Sequence, residues 1–306
     1  MSIYVCIDDT DNIDSIGTGT VADYIKEAIQ ARLGLKSTMT TRHQLFIHED
    51  IPYTSHNSSM CFRVNDDLVN CAADRSSLVT AIIGIATEIV ELHMAEGSDP
   101  GICVAAEPTE AMAALLIDFG QRAKGEICTK AEAYQLAEAC QIHLSEHGGT
   151  GDGIIGALSG IGLRLSGNDG ELKGGLKDVQ KGQLTVKALL ERDDVEVVYD
   201  THNKKAIDEG QVHFLTRTKS VLREGKYTLY VYEDGTDYIV LNKKVVRHLE
   251  MGPAALDGHN LDYVCDQFAP DVAEEQMDSS ETCLNCTYRR WAEKKAVCVK
   301  GMMPEG

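Results

Sequence analysis

Three carboxylates within four residues stand near the start of the chain: Asp8, Asp9 and Asp11, in the run Ile7-Asp8-Asp9-Thr10-Asp11. Like charges at this spacing repel one another unless a cation neutralises them. Mg²⁺ suits the position, because it takes one or two carboxylates, adds substrate phosphates and keeps water on its other sites. A solvated acidic turn is the competing reading. Gly17-Thr18-Gly19-Thr20 follows at the start of a helical pattern, where free N–H groups and the helix dipole favour an anion. The segment His147-Gly148-Gly149-Thr150-Gly151-Asp152-Gly153 is richer. Its glycines let backbone amides approach a phosphate closely. It is not a Walker A loop, since no Lys-Ser/Thr follows the last glycine. Residues 131–146 before it read as helix, which argues against a dinucleotide fingerprint and leaves a helix–helix connection as the alternative.

A polar loop, Thr54-Ser55-His56-Asn57-Ser58-Ser59, offers His56 and Asn57 to a small polar substrate, although an exposed turn has the same composition. His43, His93 and His143 stand alone and read as surface or satisfied core residues. Near the C-terminal end, Cys265-x17-Cys283-x2-Cys286-x11-Cys298 contains the Cys-x2-Cys half of a tetrahedral zinc site, with two outlying thiolates to complete it. Unligated thiols are the alternative. Beside them, Tyr288-Arg289-Arg290-Trp291 and Lys294-Lys295 make the most basic and aromatic stretch of the chain. Such a stretch holds single-stranded nucleic acid by stacking and charge, or is a solvated helix face.

Several elements must position these groups. Residues 3–7 are a β-type run ending at the aspartates, and Val21, Ala22, Ile25, Ala28 and Ile29 mark a helix face after the first glycine turn. Strands are expected at 44–47, 60–64 and 102–106. Leu78, Ile82, Ile85, Ile89 and Leu92 follow at spacings of 4, 3, 4 and 3, a helical stripe. A helix over 110–119 is expected to stop at Gly120, and Thr129-x-x-Glu132 is a capping box for the next. An apolar helix follows at 154–165. Residues 213–216, 227–232 and 238–241 read as strands, the last two joined by an Asp234-Gly235 turn.

The fold class expected is α/β (α+β). One such domain over 1–205 is followed by a small β-rich module over 206–260 and a Cys-rich tail over 261–306. With 43% hydrophobic and 25% charged residues, disordered and fibrous chains are excluded. The longest apolar run, 78–92, is interrupted by Thr80, Thr87, Glu88 and Glu91, so no membrane partner is expected. The start of the chain lacks the basic region of a signal peptide, and the ten cysteines then point to a reducing cytoplasm. A net charge of −19 opposes broad, non-specific contact with phosphate backbones.

Ile7-Asp8-Asp9-Thr10-Asp11 with its following Gly-Thr turn and helix resembles the N-terminal signature of the agmatinylcytidine synthetase (TiaS) family. His147-Gly-Gly-Thr-Gly-Asp-Gly-Ile-Ile-Gly-Ala-Leu-Ser-Gly-Ile-Gly162 is similar to that family's second signature. The two cover a region of about 200 residues. The resemblance implies a kinase-like catalytic region that uses ATP, Asp8, Asp9 and Asp11 as metal-binding carboxylates, and 17–20 and 147–153 as ATP-handling loops. In that family's chemistry a base carbonyl of a tRNA cytidine is activated by phosphorylation and then displaced by an amine. The loop 52–57 resembles its family counterpart only loosely, lacking the Lys and Arg. The expected partners are therefore a nucleotide with Mg²⁺ and either tRNA or a small-molecule acceptor, with Zn²⁺ in the tail and the oligomeric state open. A non-catalytic nucleotide- or metabolite-binding protein is the rival expectation, and a zinc-dependent RNA-binding protein the third.

Overall fold

The computed structural model describes residues 2–12, 14–46, 48, 51, 57–65, 72–179, 182–215, 218–241, 289–291 and 296–298. The chain divides into two compact units, Met1–Lys173 and Gly174–Gly306.

The first unit is built on β1 (Ser2–Asp8), β2 (Thr41–Gln44), β3 (Ser58–Asn65), β4 (Gly101–Ala106), β5 (His143–Glu146) and β6 (Glu171–Leu172). Their order is β5-β4-β1-β3-β2-β6, and every adjacent pair is antiparallel. Alternation along β1 splits its side chains between two layers. Ile3, Val5 and Ile7 are packed with Ile25 and Ile29 of α1 (Thr18–Leu33) and Ile82, Ile85 and Ile89 of α2 (Ala72–His93). Cys6 faces the other way, with Leu116 and Phe119 of α3 (Glu110–Arg122) and Leu158 and Ile161 of α5 (Gly153–Leu165). Between these two helices, α4 (Lys130–Ala139) opens on the expected capping box, with Thr129 and Glu132 bonded reciprocally. The second layer also holds a row of thiols. Cys6 stands opposite Cys61 on β3 and Cys103 on β4, and all three are buried and free, as are Cys128 and Cys140.

Helix α5 lies close against its neighbours because it is glycine-rich on the faces that touch them. A Cβ at Gly156 would fall 1.6 Å from Oδ2 of Asp8, one at Gly160 would fall 2.4 Å from Sγ of Cys6, and one at Gly162 would fall 1.8 Å from the Leu116 carbonyl oxygen. The last contact is with backbone, so no side-chain rotation relieves it.

The second unit holds β7 (Gly182–Thr185), α6 (Val186–Leu190), β8 (Val197–Asp200), β9 (Lys205–Ile207), β10 (Gln211–Phe214), β11 (Val221–Arg223), β12 (Lys226–Asp234) and β13 (Asp237–Val240). Its main strand order is β11-β12-β13-β10-β7, with β8 parallel to β12 and β9 antiparallel to β8. Leu189, Val198, Val212, Phe214, Leu229 and Val231 form its core. A separate pair, β14 (Arg289–Trp291) and β15 (Ala296–Cys298), is antiparallel. Arg289 to Trp291 thus lie in a strand rather than on a helix face.

Further expectations need correction. The strand expected at 44–47 is β2, which ends at Gln44. The chain divides at Lys173/Gly174 rather than near 205: β8 pairs with β12, and α6 packs on β7 and β8, so both belong with the β-rich unit. Gly120 does not stop α3, which runs on to Arg122. Its missing side chain instead admits the Ser159 carbonyl of α5, 2.8 Å from where a Cβ would stand. Residues 143–146 are the edge strand β5, so the glycine-rich segment follows a strand and not a helix. Finally, Arg75–His93 is long and apolar enough to cross a membrane by length and composition, against the reading that its polar residues forbid it. Its Ile82, Ala86, Ile89 and Val90 are buried in the first unit's core, the other setting in which such a helix occurs.

The glycine contacts separate helix propensity from packing. Gly162→Ala gains helix propensity but drives Cβ into the Leu116 carbonyl. It should destabilise the protein by about 1–3 kcal/mol, the usual cost of overpacking. Gly84→Ala, on α2 with open space around its Cβ, should stabilise by roughly 0.5–1 kcal/mol. Urea unfolding of both variants checks this, and a neutral or stabilising Gly162→Ala would refute the close approach.

Candidate functional site

The strand β1 ends at Asp8, and the next residue, Asp9, takes the left-handed conformation at φ 51°. In an extended strand, neighbouring side chains point to opposite faces. The turn at Asp9 breaks that alternation, and Asp8, Asp9 and Asp11 all line one cavity of about 490 Å³ within the first unit. Asp11 is fixed by Thr18 on the first turn of α1, whose Oγ1 donates to its Oδ1 at 2.6 Å. The same Thr18 oxygen accepts from the Thr10 hydroxyl at 3.1 Å and the Thr10 amide at 3.3 Å. The acidic run and the first glycine turn are therefore tied through one buried hydroxyl.

The cavity is also lined by Asp99, Asp152, Glu126 and Lys130, and by an apolar group that includes Leu45, Ile51, Ile127 and Ile155. Asp99 lies in the turn before β4, and its carboxylate holds the second glycine loop. The Thr150 amide donates to its Oδ1, and the Thr150 hydroxyl to its Oδ2 at 2.9 Å. Lys130 Nζ secures the loop from another side, donating to the Thr150 carbonyl at 2.5 Å and to Glu146 Oε2 at 2.6 Å. Gly149 and Gly151 have φ of 53° and 78°, and a Cβ on either would fall 1.5 Å from a carboxylate oxygen, of Asp99 or Glu146 respectively. Only glycine fits both places.

So many carboxylates around one cavity disturb their own ionisation. Burial, then the charges of Asp9 and Asp11, pushes Asp8 well above the usual carboxylate range. Burial, then Asp99 and Asp11, pushes Asp9 up to about 6, against the opposing pull of a backbone hydrogen bond at Asp99. Groups displaced this way by burial and like charge are typical of functional sites. Among the described residues no three side chains converge as a ready-made metal cage. The donor set nevertheless fits Mg²⁺, a hard ion that needs only one or two carboxylates when phosphates and water complete its shell.

The expected site residues divide as follows. Asp8, Asp9, Asp11, Thr18, Asn57 and Asp152 line the cavity together. Gly17 is the N-cap of α1 and Gly19 and Thr20 lie in its first turn, while Gly148 to Gly151 form the loop that Asp99 holds through Thr150; none of these lines the cavity. Two of the amides expected to face a phosphate are already committed, Thr150 to Asp99 and Gly151 to the Gly148 carbonyl at 3.1 Å. His147 is turned to Ser145 and Glu91, at 2.8 Å and 3.3 Å. His43 is a buried, bonded core residue. His56, Cys265, Cys283 and Cys286 lie outside the described residues, as does the Cys298 side chain. Asp99, Glu126 and Lys130 are additions that sequence reasoning missed. Only Asp99, in a Ser-Asp-Pro-Gly turn just before a strand, carried any local signal.

No protein-family model matches the chain, and no curated protein sequence does. Among solved structures, it is similar to a tRNA fluorescent labeling enzyme, with 25% identity and a TM-score of 0.43 over 53% of this chain and 36% of the other. A complex of TiaS with an isoleucine tRNA and ATP is similar at 24% and 0.43 over the same shares. Apo TiaS, a tRNA agmatidine synthetase, is similar at 24% and 0.42 over 66% and 42%. The chain spans well under half the length of these structures. The synthetase among them is the one whose two signatures this chain resembles.

Proposed function

We infer that the first unit is the catalytic part of a Mg²⁺- and ATP-using ligase or phosphotransferase. The carrying observation is the cavity in which Asp8, Asp9, Asp11, Asp99 and Asp152 meet the N-terminal ends of α1 and α5. Phosphates bring negative charge to a wall that is already negative, so Asp9 and Asp11 would hold a divalent ion beside a bound nucleotide. Such an ion, when bound, would supply charge neutralisation for phosphoryl transfer.

The chain's own residues supply placement. Thr18 orients Asp11, and α1 and α5 direct their dipoles at the anion. Asp99 and Lys130 hold the glycine loop in one conformation, so it need not be ordered when ligand binds. The wall of Leu45, Ile51, Ile127 and Ile155 offers a planar base or an acceptor an apolar surface. The acceptor follows from the resemblance: a carbonyl-type group is phosphorylated and then attacked by an amine. Of tRNA and a small molecule, the net charge of −19 favours the small molecule. A non-catalytic binding protein would bind nucleotide stoichiometrically and release it unchanged, whereas the enzyme releases ADP or AMP in the presence of acceptor.

Asp9→Asn and Asp11→Asn should each abolish Mg²⁺-dependent ATP consumption while leaving the fold intact. Because Asp9 is raised to about 6 from an unfolded value near 3.9, its contribution to stability is present at low pH and lost as pH rises through about 6. Thermal midpoints of wild-type protein should therefore drop between about pH 4 and pH 6 more than those of Asp9→Asn. Wild-type-like ATP consumption in both variants would sink the assignment.

Gly149→Ala should weaken binding of a non-hydrolysable ATP analogue, since its Cβ displaces Asp99 from the Thr150 amide. Calorimetric titration of a folded variant decides the matter, and unchanged affinity would make the loop a connector only.

A further inference from the structure

Part of the cavity wall is a short strip of chain just beyond the ends of β2 and β3. Leu45 and Asn57 line the cavity there, and they hold each other. The Leu45 amide donates to the Asn57 carbonyl at 2.8 Å, and the Asn57 side-chain amide donates to the Phe46 carbonyl at 2.6 Å. The strip is fastened to the end of α3 at two points. The Phe46 amide donates to the Ala123 carbonyl at 2.9 Å, and Lys124 Nζ donates to the Gln44 carbonyl at 3.0 Å.

Lys124 is an unusual residue for this task, because its side chain is only 9% exposed. Its ammonium sits 2.7 Å from Oδ2 of Asp169, itself 2% exposed. The other Asp169 oxygen meets Nδ1 of the fully buried His43 at 3.0 Å, and His43 Nε2 meets the Thr41 hydroxyl at 2.7 Å. Burial, with Arg164 and Lys124 nearby, holds His43 below its ordinary range and so neutral, despite Asp169. Gly170, at φ 114°, lets the chain pass close enough to His43 to deliver Asp169. A Cβ there would lie 2.7 Å from the imidazole Cε1.

Buried ion pairs seldom add stability over a well-packed apolar pair, because desolvation offsets the attraction. An apolar pair, however, cannot grip a backbone carbonyl. We propose that Lys124 is a positioning residue: clamped between Asp169 and the Gln44 carbonyl, it fixes the Leu45–Asn57 wall against which the nucleotide is held. This rests on the cavity being a nucleotide site.

The test uses Lys124→Met and the double variant Lys124→Met with Asp169→Asn. The single change strands a buried carboxylate and threatens the fold, whereas the double change removes both charges together. In the double variant the thermal midpoint should return towards that of wild type, while amide hydrogen exchange at Leu45 and Phe46 accelerates. Affinity for a non-hydrolysable ATP analogue with Mg²⁺ should fall roughly tenfold or more, a loss of about 1.4 kcal/mol per tenfold. A double variant with wild-type exchange at these amides, or with wild-type affinity, overturns the clamp. Wild-type protein that fails to bind the analogue overturns the nucleotide reading instead, so the two failures are read separately.

Discussion

The contact between α5 and β1 is the constraint on which the first unit depends. Side chains on the facing residues would hold a helix and a sheet apart, yet here Gly156 and Gly160 let the helix settle directly over Asp8 and Cys6. That proximity strips water from Asp8 and brings Asp152 to the cavity that Asp9 and Asp11 line. It also leaves the facing positions of β1, β3 and β4 to be filled by small thiols rather than branched side chains. The acidity of the site and the thinness of this layer thus have one origin.

Electrostatics then limits what the cavity can accept. An isolated carboxylate with a raised pKa could simply take up a proton, but Asp8, Asp9, Asp11, Asp99 and Asp152 share one enclosure. Charges gathered so closely are relieved either by protonation or by a cation, and near neutral pH a divalent cation relieves more than one of them at once. Among the described residues one lysine, Lys130, lines the wall, and it is occupied by Glu146 and by the loop it holds, so it balances little of that charge.

How much of this could be read in the sequence depended on the range of the forces involved. β1, β3, β4 and α2 were legible because their burial patterns are local: alternation in Ile3, Val5 and Ile7, and the 4-and-3 stripe from Leu78 to Leu92. The capping box at Thr129 was legible for the same reason. The strand β5 was not, since His143-Leu-Ser-Glu146 is short and lacks β-branched residues, and pairing with β4 alone makes it a strand. The unit boundary was hidden because helix and strand continue to alternate across Lys173. In the site, the aspartates after β1 were legible from type and spacing. Asp99 and Lys130 were not, because their roles arise from chain segments separated by 51 and 20 residues meeting at Thr150.

The row of Cys61, Cys6 and Cys103 has a consequence for how opening of this unit would be seen. Alkylating reagents attack thiolates that they can touch. Here burial keeps Cys6 and Cys103 protonated, by raising them well above their ordinary range, and out of reach. The row lies under the same helix that encloses Asp8. Loss of that helix from the sheet unmasks thiols and carboxylate together, so the rate of covalent thiol labelling serves as a clock for the breathing of the site itself.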